Sequence, residues 1–148
     1  MSAAFQIVGV LNVTPDSFYD GGQFDALDAA VKRAGVLLQE GADIIDIGGE
    51  STFADRDAVD EASELERTIP VIKAIKEDFP DAQLSIDTYK AEVARQAIAA
   101  GVMMVNDVTA GRGDPNLFAV VADSDTDLVL MYAKDETSRT TKDNVDYD

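Results

Sequence analysis

The chain alternates short apolar runs with longer amphipathic segments. Five runs read as strands: Gln6–Leu11, Asp43–Ile47, Gln83–Ile86, Met103–Val108 and Leu128–Met131. They place Val and Ile at consecutive positions, the pattern expected of parallel strands covered on both faces. Helices are predicted between them. In the first, Leu27, Val31, Ala34 and Leu38 share one face, and Gly41 stands where a C-terminal cap belongs. In the second, Ser63-Glu64-Leu65-Glu66 fits a capping box, and Leu65, Ile69, Ile72, Ile75 and Phe79 follow at helical spacing. Pro70 within it predicts a bend or a restart. A third helix runs from about Lys90 to Ala100 with Val93, Ala97 and Ile98 inward, ending at Gly101. The fourth opens with Asp114-Pro115, an N-cap followed by proline at the first helical position, and buries Leu117, Val120 and Val121.

The order β-α-β-α-β-α-β-α-β indicates an α/β fold with parallel strands joined by crossovers. No linker or low-complexity segment divides it. After Tyr132 the chain turns polar, so residues 1–132 read as the folded unit and residues 133–148 as a polar loop or tail.

Composition narrows the chemistry. The 148 residues contain neither Cys nor His, which removes disulfides, thiolate nucleophiles, imidazole acid–base catalysis and the usual zinc ligands. Carboxylates, amides, hydroxyls, Lys, Arg, backbone amides or a hard cation held by oxygen remain. The net charge of −17 argues against a nucleic-acid partner. The acidic residues are scattered, as on a surface kept soluble at high salt, and point to a halophilic source. An anionic substrate would be repelled unless a metal ion or local donors offset that field. No apolar run has the length of a membrane span, and the first residues lack a signal-peptide pattern, so a cytoplasmic protein is expected.

Parallel α/β folds place their sites at the carboxyl ends of the strands. Here each such end carries a residue unusual in a core. The first run ends at Asn12 and breaks into Thr14-Pro15-Asp16-Ser17 and a Gly21-Gly22 pair; the second ends in Asp46-Ile47-Gly48-Gly49-Glu50-Ser51-Thr52. The third ends at Asp87-Thr88, the fourth passes through Asn106-Asp107 into Thr109-Ala110-Gly111, and the fifth ends at Met131-Tyr132. Each has a local alternative: Asn12 as a strand-end cap, Asp87 as a helix N-cap, Asn106 as a satisfied core amide, Gly48-Gly49 as a tight turn, Met131 as core filler. Their convergence on one rim favours a site. Asp and Asn buried side by side are costly unless satisfied, and a flat heteroaromatic with donors and acceptors on its edge would satisfy them.

These stretches resemble the dihydropteroate synthase family. The resemblance lies in LNVTPDSF with DGG at residues 11–22, DIGGEST at 46–52, IDTYKAEVA at 86–94, NDV at 106–108 and LVLM at 128–131. It implies a (β/α)8 barrel of the TIM type, of which about the first five strands and four helices are present. It also implies a transferase that joins a dihydropterin methyl diphosphate to p-aminobenzoate and releases pyrophosphate, in folate biosynthesis. By that resemblance Asn12 would ligate a magnesium ion carried by the diphosphate. Thr52 would touch the diphosphate, Asp87 and Asn106 the pterin edge, and Met131 the pterin face. Thr14, Asp16, Ser17 and Ser51 would belong to the two loops closing over the reacting carbon. Asp87 is the best candidate for a catalytic group. An arylamine is already a nucleophile, so neither His nor Cys is required.

The chain departs from the family where Thr52 is followed by Phe53-Ala54-Asp55-Arg56 in place of Arg-Pro-Gly, and where Tyr132-Ala133-Lys134-Asp135 replaces a His-Met stretch. Three alternatives follow: a pterin-binding module that needs a partner, a synthase for a different arylamine, and a methyltetrahydrofolate-binding methyltransferase domain. The Thr14-Pro15-Asp16-Ser17 loop argues against the last. With five strands, a homo-oligomer or another chain completing the barrel is expected.

Overall fold

A computed structural model describes residues 5–13, 23–50 and 58–132, with the backbone alone for 23–25. Its elements are β1 (Val8–Asn12), α1 (Gln23–Gln39), β2 (Ile44–Gly48), α2 (Glu61–Asp78), β3 (Gln83–Asp87), α3 (Ala91–Ala99), β4 (Met104–Asp107), α4 (Leu117–Ala122) and β5 (Asp127–Leu130). The strands form one parallel sheet in the order β1-β2-β3-β4-β5. The predicted alternation is therefore present, with strand bounds moved by one or two residues. Asn12 is the last residue of β1, at the strand end where the sequence places it.

The helices line one face of the sheet, because α1 packs on α2, α2 on α3 and α3 on α4. Gly9 of β1 faces that side, where an added Cβ would come within 3.3 Å of Leu37 in α1. Leu11, Ile45, Ile47, Leu84, Ile86 and Val105 share this parity and are buried with Ala34, Ile72, Ile75, Val93 and Ala97. The opposite parity forms the other face. Val10, on β1, is 59% exposed there. The expectation of strands covered on both faces thus holds for β2, buried at every position, but not for β1. Period-two alternation is what remains when helices cover one side only.

The helix ends correct two local expectations. Asp60, not Ser63, is the N-cap of α2: its Oδ1 accepts from the Ser63 amide at 2.9 Å and its Oδ2 from the Ser63 hydroxyl at 2.8 Å. The helix runs unbroken through Pro70. Both Pro70 and Glu66, whose carbonyl loses its partner, are exposed, so water can serve that carbonyl. Asp114 does not start α4, which begins at Leu117. Its carboxylate reaches the Ala91 amide at 2.9 Å and so supplies an acceptor to the first turn of α3. Gly41 and Gly101 end α1 and α3 with φ of +100° and +105°, the left-handed cap expected of glycine. No helix among the described residues is long and apolar enough to cross a membrane.

Candidate functional site

The register aligns the strand ends in rows. Asn12 pairs with Gly48, Gly48 with Asp87, and Asp87 with Asn106, so these four cross the sheet at its carboxyl end. They share the parity of Val10 and therefore stand on the face where, among the described residues, no helix packs. Gly48 leaves an opening in this row. A Cβ placed there would lie 3.2 Å from Asn12 Oδ1 and 3.8 Å from Asp87 Oδ2. The two polar groups flank one glycine-sized gap.

One layer below lie Asp46 of β2, Ser85 of β3 and Met104 of β4. Asp46 is buried and joins the layers. Its Oδ1 accepts from the Ser85 hydroxyl at 2.5 Å, and its Oδ2 accepts from Asn106 Nδ2 at 3.2 Å. Asn106 is therefore held from beneath, which answers the core-amide alternative in part: one N–H is satisfied inside the protein.

Asp87 differs. Among the described residues no donor reaches its carboxylate, and it does not cap α3, whose N-cap Lys90 has no side-chain cap bond. Thr88 Oγ1 accepts from the Lys90 amide at 3.2 Å, and Asp114 serves Ala91. Burial first, then the charges of Asp46, Glu64, Asp107 and Glu50, push the Asp87 carboxyl up to about 7. Near neutral pH it can accept a hydrogen bond from a ligand or donate one.

A second polar cluster supports the loop that follows β2. Lys90 Nζ donates to Glu50 Oε2 at 2.5 Å and also to Glu64 Oε2, and it stands 4.4 Å from the centroid of the Tyr89 ring. Arg67 of α2 donates to the Gly49 carbonyl at 3.0 Å. Gly49 packs closely on α2, since a Cβ there would meet Thr68 Cγ2 at 2.7 Å and force that side chain to shift. Asp107, by contrast, turns toward the helix side. It accepts from the Thr109 amide at 2.7 Å, the Thr109 hydroxyl at 2.7 Å and the Gly111 amide at 2.6 Å, folding the turn after β4. It is a structural residue.

Of the residues singled out from sequence, the structure brings Asn12, Asp87 and Asn106 to one row. Met131 follows β5 at the same end of the sheet, is 38% exposed, and donates its amide to the Asp107 carbonyl at 3.1 Å, so it is not core filler. Thr14, Asp16, Ser17, Ser51 and Thr52 lie outside the described residues. Asp46, Ser85, Lys90 and Glu64 were not singled out. Asp46 carried a signal, a charge two residues before Gly48 in an otherwise apolar strand.

The pattern of the pterin binding enzymes matches residues 8–148. This chain belongs to that family. It is 50% identical over 131 residues to the dihydropteroate synthase of Clostridium beijerinckii, covering 88% of this chain and 48% of that protein. The Clostridium difficile dihydropteroate synthase, crystallised in the presence of pteroic acid, matches 96% of this chain and 52% of its own, with a TM-score of 0.84 and 45% identity. The Xanthomonas albilineans enzyme, solved with 4-aminobenzoic acid, matches 87% of this chain and 46% of its own, with a TM-score of 0.80 and 46% identity. The chain thus spans about half the length of these relatives. The fold is α/β, five successive strands of the (β/α)8 barrel type with four helices between them.

A metal ion can be considered against the donors present. Among the described residues no group of three acidic side chains could hold one. Asn12 Oδ1 is a single neutral oxygen at the rim, which suits a magnesium ion that keeps its waters and arrives with phosphate oxygens.

Proposed function

We propose that this chain supplies the pterin-binding half of a dihydropteroate synthase. The observation that carries the reading is the row Asn12–Gly48–Asp87–Asn106. It sets an amide oxygen, a gap, a carboxyl group and an oriented amide along one rim. A flat ring with polar atoms along its edge matches that spacing better than a flexible or purely apolar ligand. The relatives crystallised with pteroic acid and with 4-aminobenzoic acid point the same way.

In this reading Asp87 and Asn106 bind the pterin edge and Met131 lies against its face. Thr52 touches the diphosphate, and the two loops carrying Thr14, Asp16, Ser17 and Ser51 close over the reacting carbon. Asn12 contributes one oxygen to a magnesium ion carried by the diphosphate. Bound there, the ion would offset the charge of the departing group, which matters in a chain of net charge −17. The reaction bonds the arylamine nitrogen to the pterin methylene carbon as the carbon–oxygen bond to diphosphate breaks. The amine then loses a proton. In this reading Asp87, whose carboxyl burial and neighbouring acids hold up to about 7, manages protonation at the ring.

Further polypeptide is expected to complete the barrel, from a partner chain, a second copy or a longer form. The exposed side chains of Val8, Val10, Val129 and Leu130 support this. A second reading is a module that holds a pterin without turning it over, and the Phe53-Ala54-Asp55-Arg56 sequence leaves room for a different arylamine.

Calorimetry with 6-hydroxymethylpterin tests the site. Asp87→Ala should abolish measurable binding and Asn106→Ala should weaken it strongly but measurably, while the chain stays folded. Wild-type affinity in both would end the pterin reading. Diphosphate release in the presence of an arylamine separates a synthase from a binding module.

A further inference from the structure

We infer that Asp46 is a positioning residue that fixes which way round the Asn106 amide faces, and so makes the site select a ring donor at that position. The inference rests on the pterin reading above and deepens it.

Asp46 and Asn106 are 60 residues and two strands apart, yet Asn106 Nδ2 donates to Asp46 Oδ2 at 3.2 Å. Asp46 is itself held, since the Ser85 hydroxyl donates to its other oxygen at 2.5 Å. Ser85 is directly paired with Asp46 in the register and lies between it and β4. Its small side chain leaves the carboxylate room to reach across. Asp46 is only 7% exposed, so the anchor is shielded from water that would loosen it.

A carboxylate oxygen facing an amide takes an N–H, not a carbonyl. The planar Asn106 amide must therefore turn its nitrogen to Asp46, which leaves Oδ1 for the row above. Without Asp46 the two orientations would be close in energy, and Asn106 could meet a donor or an acceptor equally. With Asp46 in place, the group opposite Asn106 Oδ1 must be a ring N–H or an exocyclic amine, and only the amide's second N–H is left for an acceptor. A ring with a carbonyl there faces oxygen against oxygen. A site built around such a bond strongly rejects an analogue that lacks the donor.

The test uses the 148-residue chain. Binding of 6-hydroxymethylpterin and 6-hydroxymethyllumazine, in which a carbonyl replaces the 2-amino group, is measured in wild type, Asp46→Asn, Asn106→Ala and the double variant. Asp46→Asn should weaken pterin binding by about tenfold and narrow the preference for pterin over lumazine. The double variant should bind no more weakly than Asn106→Ala, because Asp46 acts through Asn106. The exchange Asp46→Asn with Asn106→Asp, which restores an acceptor in the upper row, should recover the preference. Losses that multiply in the double variant, or an Asp46→Asn protein with unchanged preference, overturn the inference. Should Asp46→Asn not fold, Ser85→Ala, which frees the anchor, should narrow the preference in the same sense, and an unchanged preference there overturns it too.

A ligand-free measurement keeps the two readings apart. One side-chain amide proton of Asn106 should exchange slowly with solvent in wild type and rapidly in Asp46→Asn. Equal exchange would remove the positioning role even if pterin binds. Slow exchange in a chain that ignores pterin would keep the amide orientation and overturn only the identity of the ligand.

Discussion

The Lys90 ammonium donates to Glu64, a carboxylate only 1% exposed on the inner side of α2. Glu50 accepts from the same nitrogen, so one cation from the β3–α3 turn holds the start of the loop after β2. Burial works against the charged ammonium, but the two carboxylates outweigh it and hold Lys90 above its ordinary value. Lys90→Met strands Glu64 and should destabilise the fold by about 3–5 kcal/mol. Lys90→Met with Glu64→Gln should recover most of that loss. Urea unfolding of both variants checks it, and a double variant as unstable as the single would show that the ion pair is not the cause.

The Asp87 carboxyl makes stability depend on pH with a definite sign. Unfolding returns it from about 7 to its ordinary 3.8. Between about pH 4 and pH 7 the folded chain holds a proton that the unfolded chain has released, so this group's contribution falls as pH rises. Asp87→Asn should match wild type near pH 4 and be more stable at about pH 8. Urea midpoints of the two proteins across that range give the comparison, and parallel curves would show an ordinary Asp87.

Neighbouring glycines should behave differently when given a methyl group. At Gly49 the new carbon would meet Thr68 Cγ2 at 2.7 Å and Glu64 Cγ at 2.9 Å, inside the packed helix face. Gly49→Ala should cost about 1–3 kcal/mol. At Gly48 the first contact is Asn12 Oδ1 at 3.2 Å, at the rim. Gly48→Ala should fold nearly as wild type but lose affinity for the pterin. Thermal melts and calorimetry on both separate the effects, and the reverse assignment would mean that the two faces have been misplaced.

Magnesium should be needed for the diphosphate and not for the ring. Asn12→Ala should raise the metal concentration at which a pterin diphosphate binds and leave a pterin without phosphate little changed. Binding of the diphosphate in excess chelator, equally in both proteins, would remove Asn12 as a metal ligand.

The uncovered face should make the 148-residue chain associate. Val10 at 59% exposure and Val129 at 43% lie on that face in β1 and β5, the edge strands among the described residues. Such edges favour pairing with another chain. Light scattering decides it: a monodisperse monomer with robust pyrophosphate release would show that five strands suffice.

Local order was legible in the sequence because its causes are local. Runs such as Ile44-Ile45 and Leu84–Ile86, and the spacing of Ile69, Ile72 and Ile75, identify strand and helix through periodicity alone. Gly41 and Gly101 mark helix ends because few other residues accept a positive φ. The parallel order also follows, since β/α alternation leaves little other choice, and it sends Asn12, Asp87 and Asn106 to one rim. Even short-range detail can fail where donors and acceptors compete: Asp60 and Ser63 both suit an N-cap, and the carboxylate holds that position.

Tertiary structure decided what each polar group does there. Asp87 and Asp107 are the last residues of β3 and β4, yet one faces the open row and the other folds a turn. Strand parity and the side covered by helices separate them, and neither belongs to a single residue. Asp114 serves Ala91, Lys90 serves Glu64, and Asp46 holds Asn106 across distances in sequence that no spacing rule links. The raised Asp87 carboxyl has the same origin, since burial and four neighbouring acids come together only when the sheet forms. Hydrophobic period is written along the chain, whereas desolvation and charge depend on what the folded chain brings alongside.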